Sequence, residues 1–308
     1  MITHTRAQDL AIELKGCARA AALTASCAKR LREPSQFAMT TLAGKENVRA
    51  DVVGAAASHL EALFASHAVD ASHGILHARA VLAHADAALA AAARPLPAER
   101  ALAVRLAALL HDADDKKYFG KASAASLANA RRILGAVGAA PSVVDDVARM
   151  IHWVSCSANG NACPEPAAES PELLWPRWAD RLEAAGEVGV ARCYLHNLAA
   201  GDPLCVPAAT PRPRTEGEAL ALATEERFAA YQASGGGSAS MIDHYFDKLL
   251  QVARPPPALV RNAYLEEAAA RGAAPLLAVV LAYGRTGEVP VAEIEAICER
   301  VGLRPVGK

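Results

Sequence analysis

Aromatic side chains are scarce in this chain. Phe, Trp and Tyr make up 5% of its 308 residues, although 53% of all positions are apolar. Alanine makes up much of the difference, in runs such as ADAALAAAA (85–93). Alanine is the best helix former and a poor strand former, so the composition predicts an all-α fold. Paired cysteine motifs are missing too. The seven cysteines are odd in number and irregularly spaced, with no CxxC. That speaks against a disulfide framework and a structural zinc site, and reduced thiols suit a soluble, cytoplasmic protein. No apolar run reaches the roughly 18–20 residues of a membrane span, and PLLAVVLAY (275–283) reads as a buried helix. An excess of either charge is also absent: the net charge is −1, which gives no bulk attraction for duplex nucleic acid. No P-loop is present, because GRTGEVP (284–290) lacks the Gly-Lys-Ser/Thr ending. GKASAAS (120–126) has no nucleophile-elbow context.

Hydrophobic periodicity and turn residues divide the chain into helices. An amphipathic helix is expected over 8–31. The first 33 residues are rich in Ala and Arg, as in organelle-targeting segments, but Asp9, Glu13 and Glu33 run against that reading. Further helices are expected over 50–67, over 73–93 with Asp70 or Ser72 as cap, and over 98–111. Ser123 to Val137 reads as one helix closed by Gly138, and 141–154 as another that starts at Pro141. Residues 158–173 read as a loop that could act as a lid, followed by one helix carrying WPRWADRLEAAGEVGVARCYL (175–195). Helices over 217–233, 241–253, 256–283 and 290–301 complete the chain. The expected organisation is an N-terminal helical extension (1–50), a main helical domain (51–283) and a C-terminal helix with tail (284–308).

The stretch AALLHDADDKKYFG (107–120) is unusual: an apolar helix ends in His111, Asp112, Asp114, Asp115, Lys116 and Lys117. Lysines at a helix C-terminus suit its dipole, but three adjacent acids do not. His111 and Asp112 offer an imidazole nitrogen and a carboxylate oxygen, both good ligands for Mn²⁺, Fe²⁺, Ni²⁺ or Zn²⁺. Two ligands are too few. His73 and His77 share a helix face upstream, and Asp180 lies among apolar residues downstream. His59, His67, His84 and His196 have an ordinary structural reading, with His84 close enough to His77 for at most an indirect role; His152, on an apolar helix, is a minor ligand candidate.

The order of these pieces resembles the HD superfamily of metal-dependent phosphohydrolases. The closer similarity is to a stand-alone branch, the YedJ-like hydrolases, which includes nucleoside-triphosphate pyrophosphohydrolases. SHGILHARAV (72–81), LLHDADDKKY (109–118), WVSCSANG (153–160), WADRLEAAGEVGVARCY (178–194) and MIDHYFDKLL (241–250) match that branch in order, over roughly residues 55–280. The resemblance implies an HD-type helical bundle in which His77, His111, Asp112 and Asp180 hold one divalent metal, with Mn²⁺ favoured. Asp115, Lys117 and His73 fall on positions beside the metal. Asp115 is expected to orient or deprotonate water, Lys117 to neutralise phosphoryl oxygens with Lys116 behind it, and His73 to contact phosphate or protonate the leaving group. Arg181, His244 and Lys248 are expected near the substrate, although a salt bridge from Arg181 to Glu183 or Asp180 would explain that arginine equally well. Arg192 also matches. Gly74, Ala80, Trp178 and Glu183 depart from the family pattern, which has Asp, Arg, Asp and Asp there. The implied reaction is cleavage of a nucleotide, most simply a nucleoside triphosphate to monophosphate and pyrophosphate. A nucleotidase, a phosphodiesterase and a non-catalytic metal- or nucleotide-binding protein are the alternatives, and the oligomeric state is open.

Overall fold

The structure, a computed structural model, describes residues 52–69 and 73–303. The chain divides after Ala50 into two units, and every described residue belongs to the second. The expected helix over 8–31 and the caps Asp70 and Ser72 lie outside the described residues. No strand occurs among the described residues, and the fold is all-α as the composition requires. No described helix is long and apolar enough to cross a membrane.

The first core is built mainly by the helices between residues 52 and 183. Helix α1 (52–66) turns Ala56, Leu60, Leu63 and Phe64 inward, the three-and-four spacing of a one-sided helix. Helix α2 (Ile75–Ala90) buries His77, Ala78, Val81, Ala85 and Ala88 in the same way. Helix α3 (Ala98–Leu110) is buried along Leu102–Ala103–Val104 and all of Leu106–Leu110, so it is apolar nearly all round and runs through the middle. After α4 (Lys116–Ser126) and α5 (Ala128–Ala136), α6 (Pro141–Val154) buries Val143, Val147, Met150, Ile151 and Val154 against α3. Helix α7 (Trp175–Glu183) closes the group by packing on α2, α3 and α6. The alanines of α2 and α3 leave little side chain between neighbouring backbones, which brings polar residues at the helix ends within reach of one another.

A second core follows. Helix α8 (Gly186–Ala200) packs on α12 (Ala263–Thr286) and α13 (Val291–Arg300). Between them in sequence come α9 (Glu216–Leu222), α10 (Glu225–Ala233) and α11, which starts α-helical (Met241–His244) and widens into a π-helical turn (Tyr245–Leu249). Helix α12 serves both cores: Leu265 lies in the first, and Leu276, Val280 and Tyr283 lie in the second.

Four expected helices are interrupted. The helix over 256–283 breaks at Arg261, which adopts φ 44°, and α12 restarts with Asn262 as its cap. The helix over 123–137 breaks at Leu127, which adopts φ 52° and separates α4 from α5. The helix over 175–195 stops at Ala184, and α8 restarts from Ala185 with Gly186 at φ 65°. The helix over 217–233 is two helices, because the side chains of Thr215 and Thr224 each cap a start. Lys116 and Lys117 do not end α3. They open α4, so the dipole explanation for these lysines fails.

Candidate metal centre

His77 is the third residue of α2, His111 the C-cap of α3, Asp112 the residue after it, and Asp180 lies midway along α7. Three packed helices therefore converge on one point. His77 Nε2 lies 3.2 Å from His111 Nε2. Asp180 Oδ1 is 3.3 Å from His77 Nε2 and 3.5 Å from His111 Nε2. Asp112 Oδ2 is 3.3 Å from His111 Nε2 and 3.7 Å from His77 Nε2. Metal–ligand bonds of about 2.1 Å place neighbouring donors about 3.0 Å apart in an octahedron and about 3.4 Å apart in a tetrahedron. The 3.2–3.5 Å separations lie close to the edges of such a polyhedron, and the 3.7 Å from Asp112 to His77 is somewhat longer. His77, His111 and Asp180 form a group able to hold a metal ion, with Asp112 at its edge.

The surroundings favour a cation there. His111 Nδ1 donates to the Ala108 carbonyl at 2.8 Å, one of the oxygens that a helix end leaves unpaired, and this turns Nε2 into the cluster. Asp112 Oδ2 is buried without a hydrogen bond. Burial alone would lower the pKa of His111, yet the Asp112 and Asp180 carboxylates raise it well above 6.5. Burial likewise pushes Asp180 up, but His111 and His77 hold it well below the usual carboxylate value, and Asp112 shifts downward through His111 in the same contest. A buried cluster that draws a proton this strongly suits a metal cation equally well.

The other residues of the 111–117 stretch have distinct tasks. Asp114 is buried and accepts from the Asn129 N–H and Ala130 N–H, each at 2.9 Å, and from Ser123 Oγ. It caps α5 from a distance and is structural. Asp115 caps α4 with Oδ1, which accepts from the Lys117 N–H at 2.8 Å, while Oδ2 faces His73 Nε2 at 4.0 Å. The His73 ring lies 6.3 Å from that of His77. Lys117 Nζ stands 4.9 Å above the Tyr118 ring, and Lys116 is exposed. His73 and Asp115 thus face each other beside the His77 cluster.

His84, two turns along from His77, joins Glu183 at 3.1 Å and the Tyr264 hydroxyl at 2.7 Å, which ties α2 to α7 and α12. Arg192 donates to the Glu183 carbonyl at 3.2 Å. Of the remaining histidines, His59, His67, His152 and His196 are exposed. Arg181 does not bridge to Glu183. Its guanidinium donates to Asn161 Oδ1 at 2.6 Å and to the Gly160 carbonyl. His244 and Lys248 sit on α11 against Tyr231: the His244 ring is 5.3 Å from the Tyr231 ring, and Lys248 Nζ is 5.7 Å from its centroid. Burial, with Lys248 and His196 nearby, pushes His244 down to about 3. Trp178, where the resemblance would place an acid, is buried in the first core between two guanidinium groups. Sequence reading did not single out Arg177, whose only signal is its four-residue spacing from Arg181.

No family model matches the chain. It is 36% identical over 211 residues to the uncharacterized protein L803 of Acanthamoeba polyphaga mimivirus, an alignment covering 64% of this chain and 82% of L803. Its fold is similar to the crystal structure of a Lactobacillus plantarum protein, with a TM-score of 0.53 and 21% identity over 80% of this chain and 98% of that one. The Lin1889 protein from Listeria innocua gives a TM-score of 0.48 at 16% identity, over 76% and 94%. With identity sustained over most of the viral protein's length, the chain belongs to the same family as mimivirus L803.

Proposed function

We propose that this protein is a metal-dependent phosphohydrolase of the HD superfamily type, acting on a nucleotide or a similar phosphate ester. The observation that carries the reading is the convergence of His77, His111, Asp112 and Asp180 from three helices at coordination-edge distances. A divalent ion held by these residues, Mn²⁺ by preference, supplies Lewis acidity toward a water and a phosphoryl oxygen. The chain's own groups do the rest. Asp115 Oδ2 orients the attacking water and accepts its proton, because Oδ1 is tied to the start of α4. His73, facing that oxygen, protonates the leaving group. Lys117, with the exposed Lys116, neutralises the phosphoryl oxygens at the open side. The reading draws on neither His244 nor Lys248, whose neighbours are Tyr231 and Ser238. Cleavage to monophosphate and pyrophosphate is the favoured bond choice, by the sequence resemblance.

The test is hydrolysis of ribo- and deoxyribonucleoside mono-, di- and triphosphates with Mn²⁺, product-resolved, beside Asp112→Ala. Pyrophosphate and monophosphate released by the wild type and not by the variant are the expected result. Orthophosphate as the product would keep the hydrolase and move the bond. A panel with no turnover, from protein that retains its metal, would overturn catalysis and favour a binding protein.

A further inference from the structure

The two most buried arginines of the described chain lack the carboxylate partners that Arg100 and Arg227 have. Arg177 is 1% exposed and Arg181 3%. Arg100 pairs with Asp146 and Glu172, and Arg227 with Asp243 and Asp247. No described carboxylate lies within ion-pair distance of Arg177 or Arg181. Their acceptors are neutral: the Trp153 carbonyl at 2.6 Å and the Ala162 carbonyl at 2.7 Å for Arg177, Asn161 Oδ1 and the Gly160 carbonyl for Arg181. Both guanidinium groups flank Trp178, at 5.5 and 4.7 Å from its ring. Each keeps a buried N–H without a partner, Arg177 Nη2 and Arg181 Nε, and so does the indole Nε1 of Trp178. Two like charges one helical turn apart, with three unused donors, are costly in an interior unless an anion or ordered water is bound there. The segment supplying most of their acceptors, 160–162, also lines a groove of about 430 Å³ together with Phe228 and Gln232.

We propose that Arg177, Trp178 and Arg181 form a phosphate-binding site beside Asp180, closed in this structure by the 156–163 segment, whose oxygens stand where phosphate oxygens bind. Bidentate guanidinium groups and an indole N–H are donor-only and suit an oxyanion with acceptors on every side. Asp180 belongs to the same helical turn, so the site would hold one phosphate of a substrate whose neighbour lies at the metal ligands. This identity of the occupant rests on the phosphate-ester reading above; the anion site itself does not.

The probe is inorganic phosphate, titrated into full-length protein stripped of metal with chelator, with amide hydrogen exchange as the readout. Expected is saturable binding that changes exchange over 153–163 and 175–183. Arg181→Lys, which keeps the charge but loses the fork, should weaken it at least tenfold, and Trp178→Phe several-fold. Failure of the wild type to bind millimolar phosphate would overturn the proposal, as would an exchange change confined to other segments or unaltered affinity in the folded variants. Should the variants not fold, the wild-type exchange map alone decides. Nucleotide hydrolysis measured in parallel separates the two readings: hydrolysis without phosphate binding sinks only this site, and binding without hydrolysis sinks only the reaction.

Discussion

At the scale of single residues, the two ring nitrogens of His111 divide the work. Nδ1 is fixed by the carbonyl of its own helix, and Nε2 is delivered to Asp112, Asp180 and His77. Replacing Asp180 by Asn keeps the shape and removes the charge. Asp180→Asn should lower Mn²⁺ affinity at least tenfold, measured by equilibrium dialysis with metal analysis, with the helical circular dichroism unchanged; wild-type affinity in the folded variant would remove Asp180 from the ligand set. Asp114 predicts the opposite pattern. Asp114→Ala unpairs two N–H groups of α5 and should cost about 2 kcal/mol in urea unfolding, with metal affinity unchanged. That His77, His111 and Asp180 would come together was legible from their order along separate expected helices, and the structure brings them into one group. The roles of Asp114 and Arg177 were not legible. A cap acting fifteen residues away, and an arginine that finds only carbonyls, depend on tertiary partners that local sequence does not reveal.

At the scale of elements, apolar periodicity located the helices but not their interruptions. Leu127 ends α4 in a left-handed conformation because its side chain is buried in the first core, a gain that outweighs its poor propensity there. Periodicity continues through such a break, so the sequence reads as one helix. Glycines in helices differ for the same tertiary reason. A Cβ on Gly284 would collide with the Pro213 carbonyl, whereas one on Gly135 meets nothing within 4 Å. Gly284→Ala should lose about 1–3 kcal/mol and Gly135→Ala gain about 0.5–1 kcal/mol, as read from denaturant midpoints. On α11, His244 faces Tyr231, Ser238, Lys248 and His196, and its pKa falls from 6.5 to about 3 on folding. Between those values the unfolded chain binds a proton that the folded chain refuses, so stability falls as pH drops through this interval. His244→Gln should flatten that slope between pH 7 and 5. A slope equal to that of the wild type would mean that His244 titrates normally when folded.

At the scale of the molecule, the placement of the ligands decides where a metal would stabilise. His77, His111, Asp112 and Asp180 all belong to helices of the first core or to the turn after α3, whereas α8, α11 and α13 pack in the second. Among the described helices only α12 has residues in both. A ligand that binds the folded state alone stabilises it by about 2.7 kcal/mol at a hundred times its Kd, and hydrogen exchange reports that gain segment by segment. Saturating Mn²⁺ should therefore slow exchange about 100-fold in α2, α3 and α7, while α8, α11 and α13 exchange as before. Equal slowing in both cores would mean that α12 couples them into one cooperative body. Exchange unchanged everywhere would mean that the four side chains hold no Mn²⁺, and the phosphohydrolase reading would fall with them. Slowing confined to the first core would leave the second free to open while the metal stays bound.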